Sequence, residues 1–189
     1  MSQSVVPGKS VVVGIMRIAR GRADGIGFFG SSAQSYLSSL APLIAFPLVG
    51  AVLAMFSDGP RRALTDLAMM LCALLTPAVV SYELARLWKR EDAWARFATA
   101  FNWCEWILPV LACLLLVPLS LGIGLGLNEN AAGGVLVGCL GLYGLWLHWF
   151  LARTALALSG FRAVVLVVVV NFGTVLAVMG PRFLAAHLG

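Results

Sequence analysis

Apolar runs recur along the whole of this 189-residue chain, each long enough for the roughly 20 helical residues that cross a hydrocarbon core. One of them carries the stretch Val164-Val165-Leu166-Val167-Val168-Val169-Val170. Composition closes off the alternative of a water-soluble fold. The chain is 61% hydrophobic and 11% charged, with a mean hydropathy of +0.96. A soluble domain carries about 25% charged residues. A chain this apolar would have to leave far too much apolar area in water. The fold class is therefore all-α, a polytopic membrane helical bundle.

The runs predict five transmembrane helices over about 35–56, 62–88, 98–124, 132–158 and 162–184. They form a bundle over 35–186, preceded by an interfacial segment over 1–34. In that segment Val11, Val12, Ile15, Ile18 and Ala19 repeat at helical spacing, with Arg17, Arg20 and Arg22 around the other side. This is the pattern of an amphipathic helix lying in the interface of an anionic leaflet. The run Val11–Met16 is short and broken by Arg17 and Arg20, which excludes a cleavable signal peptide. Gly25–Gly30 reads as an interfacial turn, and Ser31 or Ser32 as the cap of the first span.

Prolines and glycines punctuate the rest. Pro42 and Pro47 predict a kink in the first span, Pro77 interrupts the second, and Pro109 and Pro118 fall in the third. Ser57-Asp58-Gly59-Pro60, Asn128-Glu129-Asn130 and Ser159-Gly160 are turns. Residues 86–97 form a charged loop at the membrane interface, with Trp88 and Trp94 as its aromatic anchors.

Orientation follows from Lys and Arg in the short loops. With the N-terminus inside, Lys9, Arg17, Arg20, Arg22, Arg86, Lys89, Arg90, Arg96, Arg153 and Arg162 fall on the inner side. Only Arg61, Arg62 and Arg182 fall outside, so the count is ten against three. The expectation is a multi-pass protein of the bacterial inner membrane, N-terminus cytoplasmic and C-terminus periplasmic. The net charge of +5 is spread over the ends of apolar runs, which fits lipid headgroups and excludes nucleic acid as partner. Cys72, Cys104, Cys113 and Cys139 fall within apolar stretches and form no CxxC pair, so they read as small buried side chains.

Gly14-Ile15-Met16-Arg17, the run Gly25 to Phe29, Asn102-Trp103, Tyr143, Trp149 and Ala152-Arg153-Thr154-Ala155-Leu156 resemble small alphaproteobacterial five-span membrane proteins of uncharacterised function. The five-span plan is also similar to the Yip-domain superfamily, whose eukaryotic members are Rab-associated trafficking scaffolds. That resemblance implies a fold plan and little chemistry.

Ionisable groups at membrane depth are costly, so each is a candidate for function. Glu105 lies about eight residues into the third span and Arg153 about seven before the turn that ends the fourth, at similar depth. Antiparallel neighbours would allow them to pair. Glu83 and Arg86 are placed to join them, with Asn102 and His148 in the same layer. Such a cluster is either a structural network that locks helix register or a polar vestibule for a headgroup, quinone or small substrate.

Gly134, Gly138 and Gly141 present a small-residue face for close helix packing, inside the bundle or against another chain. Asn171, within the apolar fifth span, is read as an interhelical hydrogen bond, and Asp66 as a helix pair with Arg62. His148 and His187 fall near opposite faces, which excludes a bis-histidine haem within one chain. No catalytic, cofactor-binding or metal residues are assigned, and no cofactor is expected. Three functions fit: a non-enzymatic scaffold or accessory subunit with protein partners or a homo-oligomer; a small oligomeric transporter or channel; and a lipid- or quinone-binding protein, or one that modifies lipid with Glu105 or His148 as base.

Overall fold

The structure, a computed structural model, describes residues 9–57 and 59–188; side chains at 9–10 and 181–188 lie outside it. Asp58 of the first turn, and the side chains of Lys9, Arg182 and His187, therefore fall outside the described residues. Among those residues every regular element is helical: α1 (Lys9–Ala19), a 3-10 turn (Ala23–Phe28), α2 (Ala33–Ser57), α3 (Pro60–Leu87), α4 (Glu91–Cys104), α5 (Ile107–Gly124), α6 (Glu129–Ala155) and α7 (Gly160–Leu188). Five stretches are long and apolar enough to cross a membrane, with α4 and α5 together making the third. The chain is an all-α, multi-pass membrane bundle.

Local chemistry sets the ends. Ser32 Oγ accepts from the Ser35 amide at 3.1 Å and caps α2. Pro60 opens α3 at a position where its missing N–H costs nothing. Asn128 Oδ1 accepts from the amides of Asn130 and Ala131 at 2.8 and 3.4 Å, and Glu129 in the first turn suits the helix dipole of α6. Both α1 and α5 end on a left-handed glycine, Gly21 at φ +72° and Gly126 at φ +102°. There the following amides reach back to Arg17 O and Gly122 O at 2.9 Å. The loops between spans hold two to four residues, so consecutive spans run antiparallel.

The third span is not continuous. Pro109 has no N–H to give the Glu105 carbonyl, and its ring crowds that carbonyl. The Glu105 oxygen takes the Leu108 amide instead at 3.2 Å, a tighter one-turn bond, and the chain breaks at Glu105-Trp106 between α4 and α5. Pro42 and Pro47, by contrast, are absorbed within α2.

The packed core lies at the end of the bundle near α1. Phe97, Ala100 and Cys104 of α4 meet Leu147 and Leu151 of α6, and Ala163, Leu166 and Val170 of α7, at spacings of three, four and seven. Ile18, Ile26 and Phe29 close this end from below. At the opposite end the helices splay: α5 has no buried residue. Of the four cysteines only Cys104 is buried; Cys72, Cys113 and Cys139 face out of the bundle, which corrects the expectation for those three.

The N-terminal helix is docked rather than merely interfacial. Ile18 is fully buried, Val11 and Ile15 pack on the core, and Tyr143 Oη donates to Ala19 O at 2.9 Å. Val12, Val13 and Met16 point outward. Arg17 and Arg22 both bind Asp24, at 2.6 and 3.2 Å, and Arg17 lies over the Phe28 ring. Arg20 has no ion-pair partner among the described residues.

Candidate functional site

The break after Cys104 places the Glu105 side chain against α6. His148 Nε2 lies 2.8 Å from Glu105 Oε1, and the imidazole stacks on Phe101 with ring centroids 4.7 Å apart. His148 Nδ1 is buried and meets no polar partner. A bare ring nitrogen tolerates that better than an N–H, because orphaned buried N–H groups are the rarer of the two. The tautomer assigned on this ground has Nε2–H donating to a Glu105 carboxylate. Among the described residues no Lys or Arg lies within ion-pair distance of Glu105.

Two turns of helix carry a second polar link. Asn102 Nδ2 donates to Ser39 Oγ at 2.9 Å, and Ser39 Oγ in turn donates to Tyr36 O at 2.7 Å. Because the serine proton is committed to a carbonyl, the amide must present its nitrogen to Ser39, and Asn102 Oδ1 is left free. Both residues are buried, so the bond ties α2 to α4 where neither group reaches water.

Beside these groups lies a cavity of about 280 Å³. Its apolar wall includes Leu43, Leu74, Pro77 and Val170, and its polar wall is Asn102, Glu105, His148, Asn171 and Thr174. The last two each spend a donor on their own helix. Asn171 Nδ2 bonds Val167 O at 2.8 Å, and Thr174 Oγ1 bonds Val170 O at 2.9 Å. Asn171 is thus not the interhelical bond expected of it: its short side chain reaches the carbonyl one turn back.

The expected Glu105–Arg153 pair does not form. Arg153 follows His148 by five residues, roughly 140° around the helix at ~100° each, so it points away when His148 faces Glu105. Its guanidinium instead lies 5.3 Å from the Trp149 ring, whose indole N–H donates to Gly160 O at 3.2 Å. Glu83 and Arg86 pair with each other at 2.8 Å on the exposed face of α3 and do not join the cluster. An exposed pair of this kind contributes little.

Trp88 is partly buried and packs against the core. Trp94 is likewise partly buried, its N–H donating to Ser81 Oγ at 3.1 Å and its ring set against Tyr36 and Tyr82. No ion pair joins Arg62 and Asp66. Asp66 instead lines an open groove of about 430 Å³ with Phe46, Pro47, Gly50, Leu67 and Met70. An ideal Cβ on Gly134, Gly138 or Gly141 meets nothing within 4 Å, so the small-residue face of α6 is not packed inside the chain.

Ser39, Phe101 and Thr174 belong to the site without having been singled out in the sequence. Ser39 gives the nearest thing to a signal, as a hydroxyl three residues before Pro42 in a membrane helix. Among the described residues no three His, Cys, Asp or Glu side chains converge as metal ligands. Compared with known proteins, the chain matches no protein-family model, and no curated protein or solved structure matches it significantly.

Proposed function

We propose that this chain is a non-enzymatic accessory subunit or scaffold of the bacterial inner membrane, completed by a partner helix on the open half of α6. The N-terminus is placed on the cytoplasmic side and the C-terminus on the periplasmic side, in keeping with the distribution of Lys and Arg. The observation that carries this reading is the unpacked glycine face. In lipid, helices associate where small residues let backbones approach, and Gly134, Gly138 and Gly141 offer that approach to something outside the chain. The splayed end points the same way, where Asp66 stands in an open groove without an ion pair.

A photoreactive leucine analogue at Leu145 tests this in native membranes. Leu145 is 47% exposed and continues the face of Gly138 and Gly141. The expected result is one protein adduct at high yield from Leu145, and lipid adducts alone from Leu176, 54% exposed on α7. Equal labelling from both positions, or none from Leu145, would remove the partner from this face. The lipid- or quinone-binding reading has one observation in its favour, the cavity beside Glu105, and the chemistry of that cavity narrows it further.

A further inference from the structure

The polar wall of the 280 Å³ cavity is rich in acceptors. The Thr174 hydroxyl and one N–H each of Asn102 and Asn171 are bonded to protein, at Val170 O, Ser39 Oγ and Val167 O. His148 Nε2–H is taken by Glu105. What remains is Asn102 Oδ1, Asn171 Oδ1, the lone pairs of Thr174 Oγ1, the second carboxylate oxygen of Glu105 and the second N–H of each asparagine amide. Acceptors outnumber donors, and one of them belongs to a carboxylate. Among the described residues no Lys or Arg lies within ion-pair distance of Glu105, and a carboxylate at membrane depth is expensive when left alone.

The complement of such a wall is a donor that bears positive charge. We propose that the cavity binds the protonated amine head of a lipophilic molecule, with Glu105 as its countercharge and the two asparagine oxygens as further acceptors. The apolar wall of Leu43, Leu74, Pro77 and Val170 receives the adjoining hydrocarbon. Entry is lateral: Asn171 lines the cavity and is exposed on the bundle surface, where lipid lies. The volume equals on the order of nine waters at ~30 Å³ each, at the small end of ligand pockets, so it admits a head and its first few carbons while the tail stays in the bilayer. A quinone carbonyl, an acceptor, would find only the second N–H of each asparagine and would leave the Glu105 carboxylate unanswered, so it is disfavoured. This goes beyond the partner reading and does not depend on it, since the α6 glycine face takes no part.

The test is calorimetric titration of the purified full chain in lipid nanodiscs, with the signal of empty nanodiscs subtracted. The probes are n-octylamine and octan-2-one, equal in length and opposite in hydrogen-bonding sense. Saturable one-site binding of the amine is expected, with none of the ketone. Glu105→Gln should weaken the amine by about tenfold or more, the worth of one charge-assisted hydrogen bond. If that variant does not assemble, Asn171→Leu on the exposed rim reports instead, with several-fold weakening expected. Ketone binding as tight as the amine's would overturn the proposal. So would undiminished amine binding in the variant that assembles. Displacement of the amine by sodium but not by choline at equal ionic strength would mark an inorganic cation site and overturn it too.

Discussion

Replacing Gly25 by leucine should release α1 from the bundle while leaving the five spans in place. A Cβ on Gly25 would stand 2.9 Å from Arg17 Cβ, 2.9 Å from the Gly14 carbonyl and 3.0 Å from Ile18 Cγ1. Gly14 faces back across the same contact, where its own Cβ would lie 2.8 Å from Phe28 Cβ. The two glycines let the backbone of α1 touch that of the 3-10 turn, and no side chain there can rotate away. Overpacking of this kind costs roughly 3 kcal/mol, which shifts a docking equilibrium about a hundredfold. Hydrogen–deuterium exchange reads the outcome directly. Amides of residues 9–29 should lose protection in Gly25→Leu, whereas Gly27→Leu should change nothing, because a Cβ at Gly27 meets nothing within 4 Å. Full protection of 9–29 in Gly25→Leu would mean that the glycine contact does not hold the helix.

Gly138→Leu is expected to do the reverse, sparing the monomer and abolishing its association. A side chain at Gly138 meets no atom of its own chain, so helix content and the exchange protection of the core around Leu147 and Leu151 should stay as in the native protein. A partner helix packed at glycine distance has no room for a leucine, and in lipid it has no hydrophobic gain to set against the lost close contact. The assembly in mild detergent should therefore fall to the monomer. A Gly133→Leu control sits beside the stripe on α6, also with nothing of its own chain within 4 Å. An unchanged assembly in Gly138→Leu would place the partner elsewhere or dispense with it.

The helices were readable because an apolar run long enough to cross a bilayer has few alternatives, and the caps at Ser32 and Asn128 announce themselves locally. Depth was readable too, since residue counting places Glu105 and His148 in one layer. Azimuth was not. Equal depth made Glu105 and Arg153 look like partners, but the five-residue step from His148 to Arg153 turns the arginine to the Trp149 side. The break at Glu105 is written in Pro109, four residues on, although a proline in a membrane helix bends some helices and leaves others, such as α2, continuous. The Ser39–Asn102 bond joins residues 63 apart and leaves no local trace. The docking of α1 was masked because Val11, Ile15 and Ile18 face the core while Val12, Val13 and Met16 make a second apolar face outward. One amphipathic stripe cannot be told from two by counting apolar residues alone.

The most direct measurement of the central claim is the mass and composition of what the chain brings with it when purified from its native membrane in mild detergent. The 20.0 kDa chain is expected in a stoichiometric complex, with a different subunit or a second copy, and Gly138→Leu is expected to emerge without it. A native chain that emerges alone, and carries solute flux once placed in liposomes, would contradict the accessory role and make it a transporter.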